Sequence, residues 1–298
     1  MPWQVELRHP LVLVAPAKVN LGLEVLGRRP DGYHDVVTIL QTISCFDRIV
    51  LRPAPTLRYT PPPAIGSDDL VQRALDLLAA AGVRLQAAIY LTKVIPIAAG
   101  LGGGSSDAGT LLGALQYAGV PRTLLDEIAR TLGSDVPFFL AGGTALARGR
   151  GTELEPLPTP SRWLVVAVPP LNLSAKTATL YGRLSPADYS DGHTTLAQAE
   201  RLRRGQGLEP THLRNAFARP LLEWPACRAL VDQLAAAGVT TYWPSGAGPA
   251  WFTVTEQWCA AWRLTWLLRQ QGITAFPCHT VRADVNRPRA QAAFARSS

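Results

Sequence analysis

Four glycines fall within five positions, Gly100, Gly102, Gly103 and Gly104, and open onto apolar residues of helical period at Ala108, Leu111, Leu112 and Leu115. Glycines remove the Cβ atoms that hold a backbone away from a bulky anion, and they admit the positive φ angles of a tight anion loop. The helix that follows presents unpaired N–H groups and the positive end of its dipole to that loop. Phosphate binding is therefore the chemistry this stretch supports. A flexible linker is the alternative, but linkers do not ordinarily open an amphipathic helix, and Ser105, Ser106 and Asp107 are good residues to cap one. No lysine follows the glycines as in a Walker A loop, and Ser105 or Asp107 stands where a dinucleotide fingerprint needs its last glycine. Lys93, just upstream, is either a second phosphate contact or a solvated lysine.

Three other places carry residues able to do chemistry. Lys18 and Asn20 lie two apart in an otherwise apolar strand pattern, so they share a face. Edge protection and a placed cation fit that lysine equally. Pro30-Asp31-Gly32-Tyr33-His34 is turn chemistry that presents an aromatic ring and an imidazole together. Such a pair can grip a flat heterocycle, although a packing Tyr and a surface His satisfy the local pattern as well. Asp135 stands just past Gly133, before Val136-Pro137-Phe138-Phe139-Leu140. It is either a cap or turn residue or a placed carboxylate, and its position alone favours the cap.

Around these residues the pattern predicts strands at Leu11–Val14 continuing to Val25, at Val36–Ile43, at Arg48–Leu51 and at Ala87–Leu91. Helices are predicted from a Ser67 cap through Leu78 to Gly82, and from Pro121 to Gly133. Pro53–Pro63 is read as an irregular loop, and Glu155–Ser161 as a boundary between domains at 1–157 and 158–298. The second half opens with a buried strand at Trp163–Val168. It continues through a polar connection at Leu171–Tyr181, a mobile polar insertion at Ser185–Pro210 and a mainly helical stretch at Leu221–Gly238. A second glycine turn, Pro244–Ala250, precedes a strand at Trp251–Val254, and Trp258, Trp262 and Trp266 at i, i+4 and i+8 form a stripe for the core or an interface.

With 298 residues, 47% hydrophobic and 17% charged, the chain has material for a large core and two domains. Its 29 basic and 22 acidic residues give +7. The arginines are scattered and carry no RNA motif, so nucleic-acid binding is disfavoured, while an anionic substrate would be attracted. Cys45, Cys227, Cys259 and Cys278 form neither a CxxC pair nor a metal-ligand cluster and are expected as reduced thiols. Neither a signal peptide nor an apolar run long enough for a membrane is visible, so a cytoplasmic location is the expectation.

The segments PAKVNLGL at Pro16–Leu23, PIAAGLGGGSSDA at Pro96–Ala108 and SGAGPA at Ser245–Ala250, in this order, resemble the GHMP superfamily of small-molecule kinases, which includes galactokinase, homoserine kinase and mevalonate kinase. RPDGYHDVVTILQ and LGSDVPFF together are similar to its 4-diphosphocytidyl-2-C-methyl-D-erythritol kinase family. The resemblance implies a two-domain α+β fold (α/β two-layer) with the active site in a cleft between the domains. It also implies ATP with Mg2+, and transfer of a phosphoryl group to a hydroxyl of a small-molecule cytidine diphosphate substrate in non-mevalonate isoprenoid synthesis. A monomer or weak homodimer is expected. Carried over, Asp135 and Lys18 are the catalytic pair. Pro96, Ala98, Ala99, Gly100, Leu101, Gly102, Gly103, Gly104, Ser105, Ser106 and Lys93 bind ATP. Asn20, Tyr33, His34, Asp135, Thr177 and Tyr181 bind the substrate, Tyr33 and His34 gripping cytosine and Tyr181 covering it. Ser106 is the candidate magnesium ligand. Leu40 departs from a frequent aromatic near the substrate, and Asn215-Ala216-Phe217 keeps only the Asn of an Asn-Asp-Leu-Glu element.

Overall fold

Two long strands form the frame of a structure, here a computed structural model, that describes residues 3–63, 65–66, 68–171 and 176–294, with 176–178 described by backbone alone. After β1 (Trp3–Glu6), β2 (Leu11–Arg28) and β3 (His34–Pro53) pair antiparallel across the Pro30–Tyr33 turn, where the Tyr33 N–H donates to Asp31 Oδ1 at 3.1 Å. The two strands predicted at Val36–Ile43 and Arg48–Leu51 are one. Alternate burial continues through the intervening residues, and Asp47, which looks like a breaker, is buried because it is fully paired.

β4 (Arg58–Tyr59), α1 (Leu70–Ala80), β5 (Val83–Thr92), α2 (Gly103–Leu115), α3 (Arg122–Leu132), α4 (Val136–Phe139), β6 (Thr144–Gly149) and β7 (Glu153–Leu157) complete the first half. Its sheet runs β1-β5-β3-β6-β7, with β2 on β3 and β4 on β5. The apolar stripes of α1, α2 and α3 bury against Leu11, Leu13, Ile49, Leu51 and Ile89 of the sheet. Asp69 caps α1, accepting from the Val71 N–H at 2.8 Å, and the predicted cap Ser67 lies outside the described residues.

β8 (Trp163–Val168) starts the second half, followed by α5 (Lys176–Tyr181), α6 (His193–Arg203), α7 (Ala218–Leu221), α8 (Pro225–Ala236), β9 (Trp243–Pro244), β10 (Trp251–Thr255), α9 (Trp258–Gln270), β11 (Thr274–His279) and α10 (Arg287–Ala293). The sheet order is β11-β8-β10-β9, antiparallel throughout. β7 ends at Leu157, and the loop from there to β8 joins the two sheets. Their cores nevertheless meet, since Val19, Leu21, Ile39 and Leu146 pack with Leu164, Val166 and Phe252. α10 returns to the first half, burying Ala290 and Ala293 in its core, while Asn286 exchanges two hydrogen bonds with the Val14 backbone.

Two expectations of the second half are corrected. The Ser185–Pro210 segment is an ordered element of the fold: α6 buries Ala199 and Leu202 between the halves, and Glu24 of β2 accepts from the Ser190 hydroxyl and the Thr195 N–H. The polar sequence hid this helix because its polar side chains Thr195 and Gln198 are buried rather than solvated, Gln198 donating to the Gly207 carbonyl. The tryptophan stripe, expected in the core or at an interface, is not core. α9 turns the small face Ala261, Thr265 and Leu268 to the sheet, leaving Trp258, Trp262 and Trp266 outside at 59%, 49% and 60% exposure.

Candidate active site

Lys18 is where the three sequence motifs meet. The β2–β3 register shifts between Pro16 and Ala17 and again between Asn20 and Gly22, so irregularities bracket the short stretch carrying Lys18 and Asn20 and re-aim it. The Lys18 N–H donates to the Leu101 carbonyl of the glycine loop at 2.9 Å. The Ser245 hydroxyl of the second glycine turn lies 3.0 Å from the Gly100 carbonyl and 3.3 Å from that of Lys18. The ammonium itself is buried. It donates to Asn20 Oδ1 at 2.8 Å, Asn20 Nδ2 donates onward to Thr38 Oγ1 at 2.8 Å, and Asp135 Oδ2 stands 3.6 Å away. Gly246, at φ +54°, has to be glycine here, because a Cβ would lie 2.9 Å from the Lys18 nitrogen.

The glycine loop lines a cavity of about 510 Å3. Its wall includes every residue assigned above to the ATP phosphates except Ser106. Gly100 lets the loop lie directly on the second turn: a Cβ there would run into the Ser245 and Gly248 carbonyls. The helix start differs from the expectation. Gly102, in left-handed conformation, is the N-cap of α2, and Ser105, Ser106 and Asp107 lie inside the first turns rather than capping it. Free N–H groups at this end thus face the cavity without a competing side-chain oxygen. Ser106, the candidate magnesium ligand, is fully buried with its hydroxyl donated to the Pro16 carbonyl at 2.6 Å.

Lys93 lines the same cavity but is not a solvated lysine. Its ammonium is clamped between the buried carboxylates of Asp47 and Asp107. Asp47 also accepts from the Ile95 N–H at 2.9 Å, which ties β3 to the approach of the loop. Asp107 Oδ1 is buried without a partner, and burial pushes this carboxyl up to about 8.

Asp135 occupies the cap position of α4 but makes no capping bond, because its carboxylate turns to Lys18. The local preference for a cap is corrected accordingly. What sets its height is the contact of α4 with α2: Gly109 and Gly113 face α4 so closely that a Cβ at either would collide with the Val136 or Leu140 carbonyl. The phosphate-loop helix and the carboxylate are thereby fixed relative to each other.

A second cavity, of about 790 Å3, opens on the other side of the pair. Tyr33, His34, Tyr181 and Tyr189 line it. His34 stacks on Tyr181 with ring centres 4.6 Å apart and planes at 24°, and Phe217 meets Tyr181 edge-on. Burial and the nearby Arg28 charge lower the His34 pKa, keeping the imidazole neutral near pH 7 with both a donor and an acceptor. Burial, reinforced by Asp135, pushes the Tyr181 hydroxyl up to about 12. The two cavities share Lys18, Asp135 and Ala247.

The glycine loop lies on one side of the Lys18–Asp135 pair and the aromatic residues on the other, and the chain as a whole is similar to known proteins. Residues 69–143 match the model of the GHMP kinases N terminal domain. The chain is 40% identical over 260 residues to the 4-diphosphocytidyl-2-C-methyl-D-erythritol kinase of Pelotomaculum thermopropionicum, covering 82% of this chain and 89% of that one. It is 38% identical over 280 residues to the enzyme of the same name from Dehalococcoides mccartyi, covering 91% and 98%. The chain belongs to the 4-diphosphocytidyl-2-C-methyl-D-erythritol kinase family. A crystal structure of a family member superposes with a TM-score of 0.78 at 38% identity, over 91% of this chain and 99% of that one. It is thus a kinase with the two-domain GHMP fold, and GHMP kinases use ATP.

Seen as a member of this family, the chain brings Lys18, Asn20, Tyr33, His34, Asp135 and Tyr181 onto one cavity. The Thr177 side chain lies outside the described residues. Asn20 has partners for both polar atoms and holds the Lys18 ammonium. Sequence reasoning missed several supports. Asn215 donates to the Pro244 and Gly246 carbonyls and so holds the second glycine turn, a role its isolated position in the chain could not signal. Gly109 and Gly113, spaced i and i+4, were a legible signal of close helix packing. Arg28, Arg150 and Tyr189 also line the substrate cavity.

Proposed function

We propose that this chain transfers the γ-phosphoryl group of ATP to the 2-hydroxyl of 4-diphosphocytidyl-2-C-methyl-D-erythritol, giving the 2-phosphate and ADP. The relatives' names supply the acceptor. The observation that carries the reading is the position of Lys18 and Asp135 at the junction of a cavity lined by the glycine loop and one lined by aromatic residues. An alcohol seated between them meets a carboxylate able to take its proton as the phosphoryl group arrives. Lys18, 3.6 Å from that carboxylate, pairs with it and offsets charge developing on the transferred group. Tyr33, His34 and Tyr181 are suited to a cytosine, which offers two faces for stacking and an edge of donors and acceptors. The Tyr181–His34 stack then parts to admit the base.

Magnesium bound with ATP takes few protein oxygens, and the partly exposed carboxylate of Asp135 on the phosphate cavity fits that need. When bound, it neutralises phosphate charge. A soluble enzyme of the cytoplasm acting on small molecules completes the reading; no helix among the described residues is long and apolar enough to cross a membrane.

The test is ADP release from ATP and magnesium with 4-diphosphocytidyl-2-C-methyl-D-erythritol, mevalonate and homoserine in parallel. Turnover with the cytidine compound alone is expected. Turnover with either of the other alcohols instead would keep the kinase and remove the cytosine grip from Tyr33, His34 and Tyr181.

A further inference from the structure

The larger cavity carries a charge imbalance that the catalytic pair and the aromatic grip leave unexplained. Its charged lining residues are Lys18, Arg28, Arg150 and Asp135. Lys18 and Asp135 compensate one another. Arg28 and Arg150 remain; neither makes an ion pair within 4 Å among the described residues, although Arg150 lies near enough to Asp31 to help hold its carboxyl down. Of the acids nearby in sequence, Asp31 and Asp35 pair with Arg29 and Glu155 pairs with Arg148 and Arg203, while Glu153 makes no ion pair with either arginine among the described residues.

Both guanidinium groups sit at the aromatic end. Arg28 ends β2 directly across the ladder from His34. Arg150 projects from the β6–β7 turn between Gly149 and Gly151, both at positive φ, and its guanidinium lies 3.5 Å above the centre of the Tyr33 ring. Resting on an aromatic face is a weak engagement for an exposed arginine, because the ring offers no hydrogen-bond acceptor to the fork of donors. The side chain is stored beside the cavity with its donors unspent.

Building on the proposed function, we propose that Arg150 and Arg28 are a clamp for the diphosphate bridge of the substrate, a recognition element separate from the cytosine grip and from the catalytic pair. A nucleoside diphosphate diester carries two negative charges between its base and its alcohol. With the base at Tyr33 and His34 and the reacting hydroxyl at Asp135, the bridge has to cross the stretch of wall that these two cations flank. The two positive charges match the bridge in number and sign, and arginine forks suit phosphate oxygens. Arg150 leaves the Tyr33 face to make this contact, which frees that ring for the base.

The experiment compares cytidine 5′-diphosphate with cytidine by calorimetric titration, on wild type, Arg150→Gln, Arg150→Lys and Arg28→Gln, at low and moderate salt. Wild type is expected to bind the diphosphate far more tightly than the nucleoside. Arg150→Gln should lose roughly tenfold or more in diphosphate affinity, as for a lost hydrogen bond to a charged group, with cytidine nearly unchanged. The salt dependence should shrink with it, and Arg150→Lys should recover part of the loss. Equal weakening for both ligands would make Arg150 a stacking element and overturn the clamp. Undiminished or tighter diphosphate binding by Arg150→Gln would overturn it too, by showing that the arginine only blocks Tyr33. Wild-type turnover of the full substrate, measured on the same preparation, separates the two readings. Turnover with KM unchanged in the variants sinks the clamp alone, whereas absent turnover sinks the proposed reaction while the titrations still decide whether the cations bind a diphosphate.

Discussion

Lys18→Met separates a residue kept for chemistry from one kept for the fold. Lys18 is 4% exposed, and its ammonium is held by Asn20 Oδ1 at 2.8 Å and Asp135 at 3.6 Å. At that ion-pair distance the attraction is about 1 kcal/mol in a water-like medium and about 4–5 kcal/mol at an effective dielectric constant of 20. The Asp135 side chain is 39% exposed, so solvent screening puts the useful value near the lower end. Against this stands the cost of burying the ammonium, which a methionine of similar volume does not carry; isosteric apolar replacement of buried charge is often neutral or stabilising. The variant should therefore melt within a few degrees of wild type or above it, yet lose roughly 10²–10³ in kcat, because the charge it lacks is needed most as the phosphoryl group transfers. Thermal melts and ADP release on the same preparation test both halves. A variant that retains most of its turnover, or one whose activity falls only in step with a lowered melting temperature, would refute the reasoning and make Lys18 a structural cation.

Asp135→Asn removes an exposed carboxylate without a capping role, so stability should change by less than about 0.5 kcal/mol while kcat falls roughly 10²–10⁴-fold with both ligands still bound; titration calorimetry and turnover together check this. Gly246→Ala puts a Cβ 2.9 Å from the Lys18 nitrogen at φ +54° and should cost about 1–3 kcal/mol in denaturant unfolding, with kcat reduced as the ammonium shifts. Asp107, raised to about 8, holds a proton that the unfolded chain releases near pH 4. Its contribution to stability is thus complete below about pH 4 and is lost as pH rises through about 8, and Asp107→Asn should flatten that decline in urea midpoints measured from pH 5 to 9.

The residues that announced themselves in the sequence were those whose type is costly without a reason: glycines in a row, a lysine in an apolar strand, a tyrosine and histidine on a turn. The helices of the first half were equally legible, because their apolar residues repeat at helical spacing and pack on a single sheet. Where side chains pair internally, the pattern misled. Asp47 looked like a break in β3 and is buried against Lys93 and the Ile95 N–H, and the polar α6 looked like an insertion because its buried Thr195 and Gln198 count as hydrophilic. The tryptophans of α9 misled the other way, since size suggested burial while the smaller Ala261 and Thr265 fit against the sheet.

Asp135 shows why the last step needs three dimensions. An aspartate just before a short helix has one sequence signature whether its oxygen caps the helix or is drawn away by a cation. Which outcome holds depends on Lys18, and Lys18 is placed by the irregular register of β2, by the Leu101 carbonyl and by the room that Gly246 leaves. α4 is in turn held against α2 through Gly109 and Gly113, so the carboxylate and the phosphate loop move as one unit. The 3.6 Å separation of the pair is therefore a property of four segments acting together, and a substitution in any of them changes the chemistry without touching either catalytic residue.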